Sequence, residues 1–125
     1  MKFTLDKTEQ YTLIQVHVDK LDALKTPVLK TELTNLNAEG VKNMILDLTE
    51  VKYVDSSGLS SILFANRVCE GEGGIFVIYG LSDSVKKLIT IAQLDKVLNI
   101  LPTKEESIDR VFLHAIEADL NNGKE

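Results

Sequence analysis

The segment from Met44 to Leu59 constrains the fold more than any other part of the chain. It begins with the run Met44–Leu48, which is apolar except for Asp47 and is typical of a strand covered on both faces. The chain then reaches Asp-Ser-Ser-Gly at positions 55–58, where Asp and Ser favour the helix cap and an apolar helical stripe begins. The segment therefore predicts a buried strand that leads through a short link into a helix.

Two hydroxyl groups, those of Ser56 and Ser57, fall at the start of this predicted helix. Backbone N–H groups at a helix N-terminus lack intrahelical partners and lie at the positive end of the helix dipole. A hydroxyl here can carry a phosphate without disrupting the fold. The same residues also suit a plain helix cap, because Ser and Asp favour that position and Gly58 permits a close approach.

Strand and helix patterns alternate along the rest of the chain. The predicted strands are Phe3–Leu5, Tyr11–Val18, Met44–Leu48, Ile75–Tyr79 and Val97–Leu101. The predicted helices run from a Thr26 N-cap followed by Pro27 to near Gly40, over Gly58–Glu70, from a Ser82 cap through Ala92, and from Pro102-Thr103 to about Asp119.

The first two strands predict a hairpin, and the later strand-helix alternation predicts parallel pairing with right-handed crossovers. The fold class is therefore α/β, with a mixed sheet of about five strands and about four helices. At 125 residues and 44% hydrophobic, the chain can bury one core of ordinary size. We expect one domain over residues 1–120 and a frayed tail over 121–125.

Composition also bears on location and chemistry. No stretch approaches the roughly 18 apolar residues of a membrane span, and the first residues lack the apolar segment of a secretion signal. We therefore expect a cytoplasmic protein that does not insert into a membrane. Cys69 is the single cysteine, which excludes an internal disulfide or a cysteine cluster for a metal and predicts a packed or half-exposed thiol.

The net charge of -5 argues against nucleic acid as a partner, because phosphate binding needs clustered Lys and Arg. An acidic balance is compatible with docking onto a basic protein.

A Ser-His-Asp hydrolase would need Ser56 or Ser57 as nucleophile and His17 or His114 as base. The sequence lacks the Gly-x-Ser-x-Gly elbow, His17 lies in a predicted strand, and His114 lies near the end of the last helix. These features disfavour an enzyme.

A metal site could use carboxylates at strand ends, namely Asp22, Asp47 and Asp55. No helper histidine or glycine-rich phosphate loop accompanies them, so the sequence predicts neither a metal nor a cofactor.

Two motifs, Leu46-Asp47-Leu48-Thr49 and the segment Val54–Leu59, resemble the STAS family of sulfate-transporter and anti-sigma-factor-antagonist domains. Leu21-Asp22-Ala23 resembles the Leu-Asp element before the family's first helix, and residues 75–80 and 85–94 resemble its later strand and helix. The resemblance covers roughly the whole chain. It departs from the family at Asp19-Lys20, shortly before the Leu-Asp element, where the family often has Gly.

The resemblance implies roles for particular residues. Antagonists of this kind carry a phosphorylatable Ser directly after the Asp, which is Ser56 here, with Ser57 as the alternate. Asp55 would orient the hydroxyl, Asp22 would shape the surface that a kinase recognises, and Gly58 would support the turn.

The second helix offers a candidate partner surface. At 100° per residue, Phe64 and Val68 fall on the side shared with Ser60, Ser61 and Arg67. The predicted partner-binding residues are Ser57, Ser60, Phe64 and Arg67. Two alternatives stay open for Phe64: an exposed aromatic anchor for a partner, or a ring covered within the domain.

The resemblance implies a non-enzymatic switch: an anti-sigma factor antagonist that binds an anti-sigma factor when Ser56 is free and so releases a sigma factor. The partner would also be a serine kinase, and a serine phosphatase would reset the switch. One alternative is a STAS subunit of a lipid or anion transport complex without a phosphate cycle. A second and less favoured alternative is a small hydrolase whose activity depends on Ser56.

Overall fold

The computed structural model describes residues 1–122 and contains a five-stranded mixed sheet, a two-stranded sheet and four α-helices. The strands are β1 (Phe3–Lys7), β2 (Thr12–Val16), β3 (Lys20–Leu21), β4 (Met44–Asp47), β5 (Tyr53–Val54), β6 (Phe76–Tyr79) and β7 (Asn99–Leu101). The helices are α1 (Thr26–Ala38), α2 (Ser56–Gly71), α3 (Asp83–Ile91) and α4 (Lys104–Asn122), with a 3₁₀ turn at Leu94–Lys96.

The larger sheet has the strand order β1-β2-β4-β6-β7. The β1 and β2 strands form an antiparallel hairpin, and the other three pairings are parallel. The predicted α/β fold class, with a hairpin followed by parallel crossovers, is therefore confirmed.

The central strands β4 and β6 are buried along their whole length because both faces of the sheet are covered, and Asp47 at the end of β4 is their one charged residue. In β4, Met44 and Leu46 belong to the larger core, which also holds the buried apolar residues of α1, α2 and α3. Ile45 belongs to a second core. That second core includes Val111, so α4 covers the opposite face of the sheet. Alternate residues of one strand thus pack in opposite directions.

Several element boundaries differ from the prediction. Thr26 is not the N-cap of α1, because Lys25 takes that position and the Thr26 hydroxyl donates instead to the Asp22 carbonyl at 2.8 Å. Helix α2 begins at Ser56 rather than Gly58, and its N-cap is Asp55.

The last strand and the last helix also differ in length from the prediction. The predicted strand 97–101 is shorter, because the 3₁₀ turn at Leu94–Lys96 precedes it. Helix α4 runs to Asn122, so the first two residues of the predicted tail are helical, and residues 123–125 lie outside the described part of the chain.

Cys69 is fully buried in the larger core, which decides between the two environments expected for it. Burial raises the pKa of this thiol to about 12, so the reactive thiolate is disfavoured at neutral pH. Within residues 1–122, no helix combines the length and apolar character needed to cross a bilayer.

Asp47 forms a buried polar network at the end of β4. Its carboxylate accepts hydrogen bonds from the Tyr79 hydroxyl at 2.9 Å and the Gln15 amide at 3.2 Å, which tie it to the two neighbouring strands. It also accepts from the Thr49 backbone N–H at 2.8 Å and from the Thr49 hydroxyl. Burial alone would raise the pKa of Asp47, but these hydrogen bonds outweigh it and hold the pKa below its ordinary value.

Asp47→Asn should lower the free energy of unfolding at pH 7 by about 1–3 kcal/mol, because an amide cannot accept all of these hydrogen bonds. A carboxyl whose pKa is depressed in the folded state stabilises the fold above its unfolded pKa, and this stabilisation is lost as pH falls toward the folded pKa. The difference between wild type and Asp47→Asn should therefore shrink below the ordinary pKa of 3.8.

Urea denaturation at pH 7 and at pH 3 measures this difference. Tyr79→Phe is the control, since it removes one donor and leaves the carboxylate that titrates. An equal gap between wild type and Asp47→Asn at both pH values would contradict the account.

Candidate functional site

The candidate site forms where the two-stranded sheet joins two chain segments that are distant in sequence. Strands β3 and β5 pair in parallel, with Lys20 opposite Tyr53 and Leu21 opposite Val54. Asp55 then donates its backbone N–H to the Leu21 carbonyl at 3.2 Å. As a result, the turn before α1 and the turn before α2 lie side by side.

Asp55 links these two turns through its carboxylate. One oxygen accepts the Gly58 N–H at 2.9 Å and so caps α2. The other accepts the Ala23 N–H, in the turn before α1, at 3.2 Å. The contacts of Asp55 are thus backbone N–H groups, and its role in orienting the hydroxyl of Ser56 stays a prediction.

Asp22 shapes the neighbouring turn. Its Oδ1 accepts the backbone N–H groups of Leu24 at 3.1 Å and Lys25 at 3.3 Å, and its other oxygen lies 3.7 Å from the Lys25 ammonium. This side chain holds the chain in a turn ahead of α1, which explains why Thr26 is not needed as a cap. The structure brings Asp22 and Asp55 to the same edge of the site.

The departure from the family's glycine is accommodated without strain. The Asp19 carbonyl accepts the N–H groups of Lys52 at 2.7 Å and Tyr53 at 3.0 Å, and Lys20 enters strand β3. Neither residue 19 nor residue 20 has a positive φ, so this loop does not require glycine.

Gly58 is the point of closest approach between α2 and β3. A Cβ at this position would lie 2.5 Å from the Leu21 carbonyl oxygen and 2.6 Å from the Val54 Cγ1. Only glycine permits this contact, so the start of α2 is held directly against the small sheet.

Ser56 and Ser57 occupy the first two positions of α2. Ser56 is exposed and Ser57 is half-buried, and within the described residues neither hydroxyl makes a hydrogen bond. Ser61, one turn later, is fully buried and donates to the Gly58 carbonyl at 2.7 Å, so its hydroxyl is already used. Of these three hydroxyls, the one on Ser56 is the most accessible to a modifying enzyme.

A groove of about 440 Å³ lies between the start of α1 and the start of α2. Its lining consists of Ala23, Thr26, Pro27, Lys30, Ser56, Ser57 and Ser60. The Lys30 ammonium reaches across it to within 3.5 Å of the Ser60 hydroxyl. The sequence did not predict this groove. Its one indication was that Thr26 and Lys30 are four residues apart and so lie on one face of α1.

The outer face of α2 differs in part from the pattern in the sequence. Ser60 and Arg67 are exposed, as a partner surface requires, but Phe64 is half-buried and packs against the larger core. Asn66, which the sequence analysis did not single out, is buried on this helix and donates to Glu70 at 3.0 Å. Phe64 therefore stabilises the domain whether or not it also contacts a partner.

The other chemical candidates lie apart from the groove. His17 contacts Thr4 and Glu50, and His114 contacts the Gly73 carbonyl at 3.0 Å. Asp47 is occupied in its own network and does not join Asp22 and Asp55. Within residues 1–122, no three His, Cys, Asp or Glu residues are grouped so as to hold a metal ion.

Comparison with known proteins places the chain in one family. The STAS domain model matches residues 4–107, and the chain therefore belongs to the STAS domain family. It is 26% identical over 109 residues to the anti-sigma-B factor antagonist of Bacillus subtilis, covering 86% of this chain and 99% of that protein. The corresponding protein of Staphylococcus aureus is 26% identical over 101 residues, covering 80% of this chain and 94% of that protein.

Solved structures show the same fold. An anti-sigma factor antagonist from Mycobacterium paratuberculosis superposes with a TM-score of 0.78 at 19% identity, covering 88% of this chain and 92% of that one. The phosphorylated form of Bacillus SpoIIAA superposes with a TM-score of 0.69 at 24% identity, covering 88% of this chain and 99% of that one.

Gly58→Ala should destabilise the domain by about 1–3 kcal/mol, because the added Cβ forces α2 away from β3. Gly71→Ala, at the other end of the same helix, is the matched control, since its Cβ would meet nothing within 4 Å. Urea denaturation of both variants measures the effect. Equal stability of the two variants would show that the close approach at Gly58 does not matter.

Proposed function

We propose that this STAS domain is an anti-sigma factor antagonist controlled by phosphorylation of Ser56. The observation that carries the proposal is the exposed, unengaged hydroxyl of Ser56 at the first position of α2, beside a groove and directly after the cap Asp55. The names of the relatives from Bacillus subtilis and Staphylococcus aureus support the same function.

The proposed switch acts by binding rather than by catalysis. With Ser56 free, the surface formed by the groove and the outer face of α2 binds an anti-sigma factor, which then releases its sigma factor. The partner also acts as the serine kinase that modifies Ser56, and a serine phosphatase removes the phosphate. In this proposal Ser57, Ser60, Phe64 and Arg67 belong to the partner surface.

Phosphate on Ser56 would oppose binding through its charge. It adds about -1.5 to -2 charges to a surface that must lose water in the complex. Leaving such a charge buried and unpaired costs several kcal/mol, which corresponds to roughly a hundredfold or greater loss of affinity.

The same phosphate should leave the fold intact. The Ser56 hydroxyl has no hydrogen-bond partner within the described residues, so its modification breaks no native contact. The elements that hold the site together are instead the backbone contacts of Asp55 and the packing of Gly58. An unchanged fold with altered binding is what a reversible switch needs.

Ser56 should be the principal phosphorylated residue when the protein is incubated with the partner kinase and ATP. Mass spectrometry of wild type, Ser56→Ala and Ser57→Ala checks this. Phosphate should disappear in Ser56→Ala and persist in the matched control Ser57→Ala. The reverse pattern would move the assignment to Ser57, and no phosphate on either serine together with copurifying membrane components would favour the transport-complex subunit.

Ser56→Asp should weaken partner binding strongly and leave the melting temperature nearly unchanged, because a carboxylate at a helix N-terminus is favourable by about 0.3–1 kcal/mol. Ser56→Ala should bind the partner constitutively, and its stability should change little since Asp55 remains the cap. Calorimetric titration with the partner and thermal melts separate affinity from stability. Equal affinities of the two variants would contradict the switch.

A further inference from the structure

The groove between α1 and α2 contains a lysine side chain that has no role in the proposed function. Of the residues that line it, Lys30 alone is charged, and it is half-buried. Its ammonium lies 3.5 Å from the Ser60 hydroxyl, and it has no carboxylate within 4 Å among the described residues. A lysine held over a groove without an acidic partner can bind an anion there.

The start of α2 attracts a phosphate on Ser56 less strongly than an uncapped helix end would. The Asp55 carboxylate already occupies the capping position, so a negative charge stands beside the serine before any modification. A phosphate at Ser56 therefore adjoins a like charge and gains from a separate counter-charge.

We propose that Lys30 binds the phosphate carried by Ser56, spanning the groove from α1 to α2; this rests on the proposed phosphorylation of Ser56. Ser56 and Ser60 are one helical turn apart on the same side of α2, which places their Cβ atoms about 5–6 Å from each other. The Lys30 ammonium, already at Ser60, reaches the phosphate by rotation about its flexible side chain.

The other cations near this end of the domain are less suited. Lys25 donates to the Lys20 carbonyl at 3.0 Å and lies 3.7 Å from Asp22. The Lys20 ammonium lies over the Tyr53 ring, 5.9 Å from its centre. Arg67 is on α2 itself, eleven residues beyond Ser56, which corresponds to about 16 Å along the helix axis.

Capture of the phosphate by Lys30 would change the recognition surface in a second way. Without phosphate, the ammonium is available to an acceptor group of the partner. With phosphate, that cation is occupied within the domain and the ion pair lies across the groove. Phosphorylation then removes an attractive cation from the surface, and because one ammonium offsets only one charge of the phosphate, a net charge of about -0.5 to -1 remains to oppose the partner.

The test needs no partner protein. Phosphoserine is placed at position 56 of the full chain by genetic encoding, and the second pKa of the phosphate, ordinarily about 6, is followed by ³¹P NMR across pH. An ammonium that binds the dianion lowers this pKa. We expect it to be lower by about 0.3–1 in the wild-type background than in Lys30→Met.

Two variants make the comparison specific. Lys30→Arg keeps a cation on the same helix and should retain most of the lowering, whereas Lys25→Met removes a nearby cation that is engaged elsewhere and should behave like wild type. Thermal melts of each variant verify that the domain is folded. Equal phosphate pKa values in wild type and Lys30→Met would overturn the proposal, as would a loss of the lowering in Lys25→Met alone.

The result is independent of the switch itself. If phosphoserine at position 56 leaves partner affinity unchanged, the proposed function fails, yet the ³¹P comparison still decides whether Lys30 binds the phosphate. If partner affinity falls but the phosphate pKa does not depend on Lys30, the switch stands and this inference fails.

Discussion

The parallel pairing of β3 with β5 is the interaction on which the candidate site depends. Each strand contributes only two residues, but the pair joins segments that are more than thirty residues apart in the chain. The Asp55 N–H bound to the Leu21 carbonyl, and the Ala23 N–H bound to the Asp55 carboxylate, extend this pairing into the two turns. Because these bonds lie within the domain, the groove is formed in the free protein, and a molecule that binds there costs less conformational entropy than one that must first order the groove.

The sequence predicts the larger sheet well because its central strands carry a strong physical signal. Strands β4 and β6 are buried on both faces, so their sequences are apolar at successive positions, over Met44–Leu46 and over Phe76–Tyr79. The start of α2 is similarly marked, since Asp55 caps the helix with its own side chain. The two-stranded sheet has no such signal in the sequence, because strands of two residues show no periodicity and pair with a distant part of the chain.

The details of the site depend on contacts that no local pattern contains. Thr26 has the features of a cap, but the turn that Asp22 organises moves the helix start, and Lys25 takes the position. Lys30 is one lysine among many in the sequence, and only the packing of α1 against α2 places its ammonium beside Ser60. The helical spacing alone could not decide whether Phe64 is exposed. Helix α2 contacts α1 as well as the sheet, so a wide part of its surface, including Phe64, is at least partly buried.

The close approach at Gly58 fixes the position of α2 independently of the side chains that line the groove. Backbone atoms and one missing side chain fix where α2 begins, whereas the groove beside it is bounded by side chains such as Ala23, Lys30 and Ser60. Exposed members of that set can be exchanged in evolution without disturbing the framework. Two copies of such a domain can therefore diverge in the side chains of this groove while both keep the same backbone contact at the start of α2.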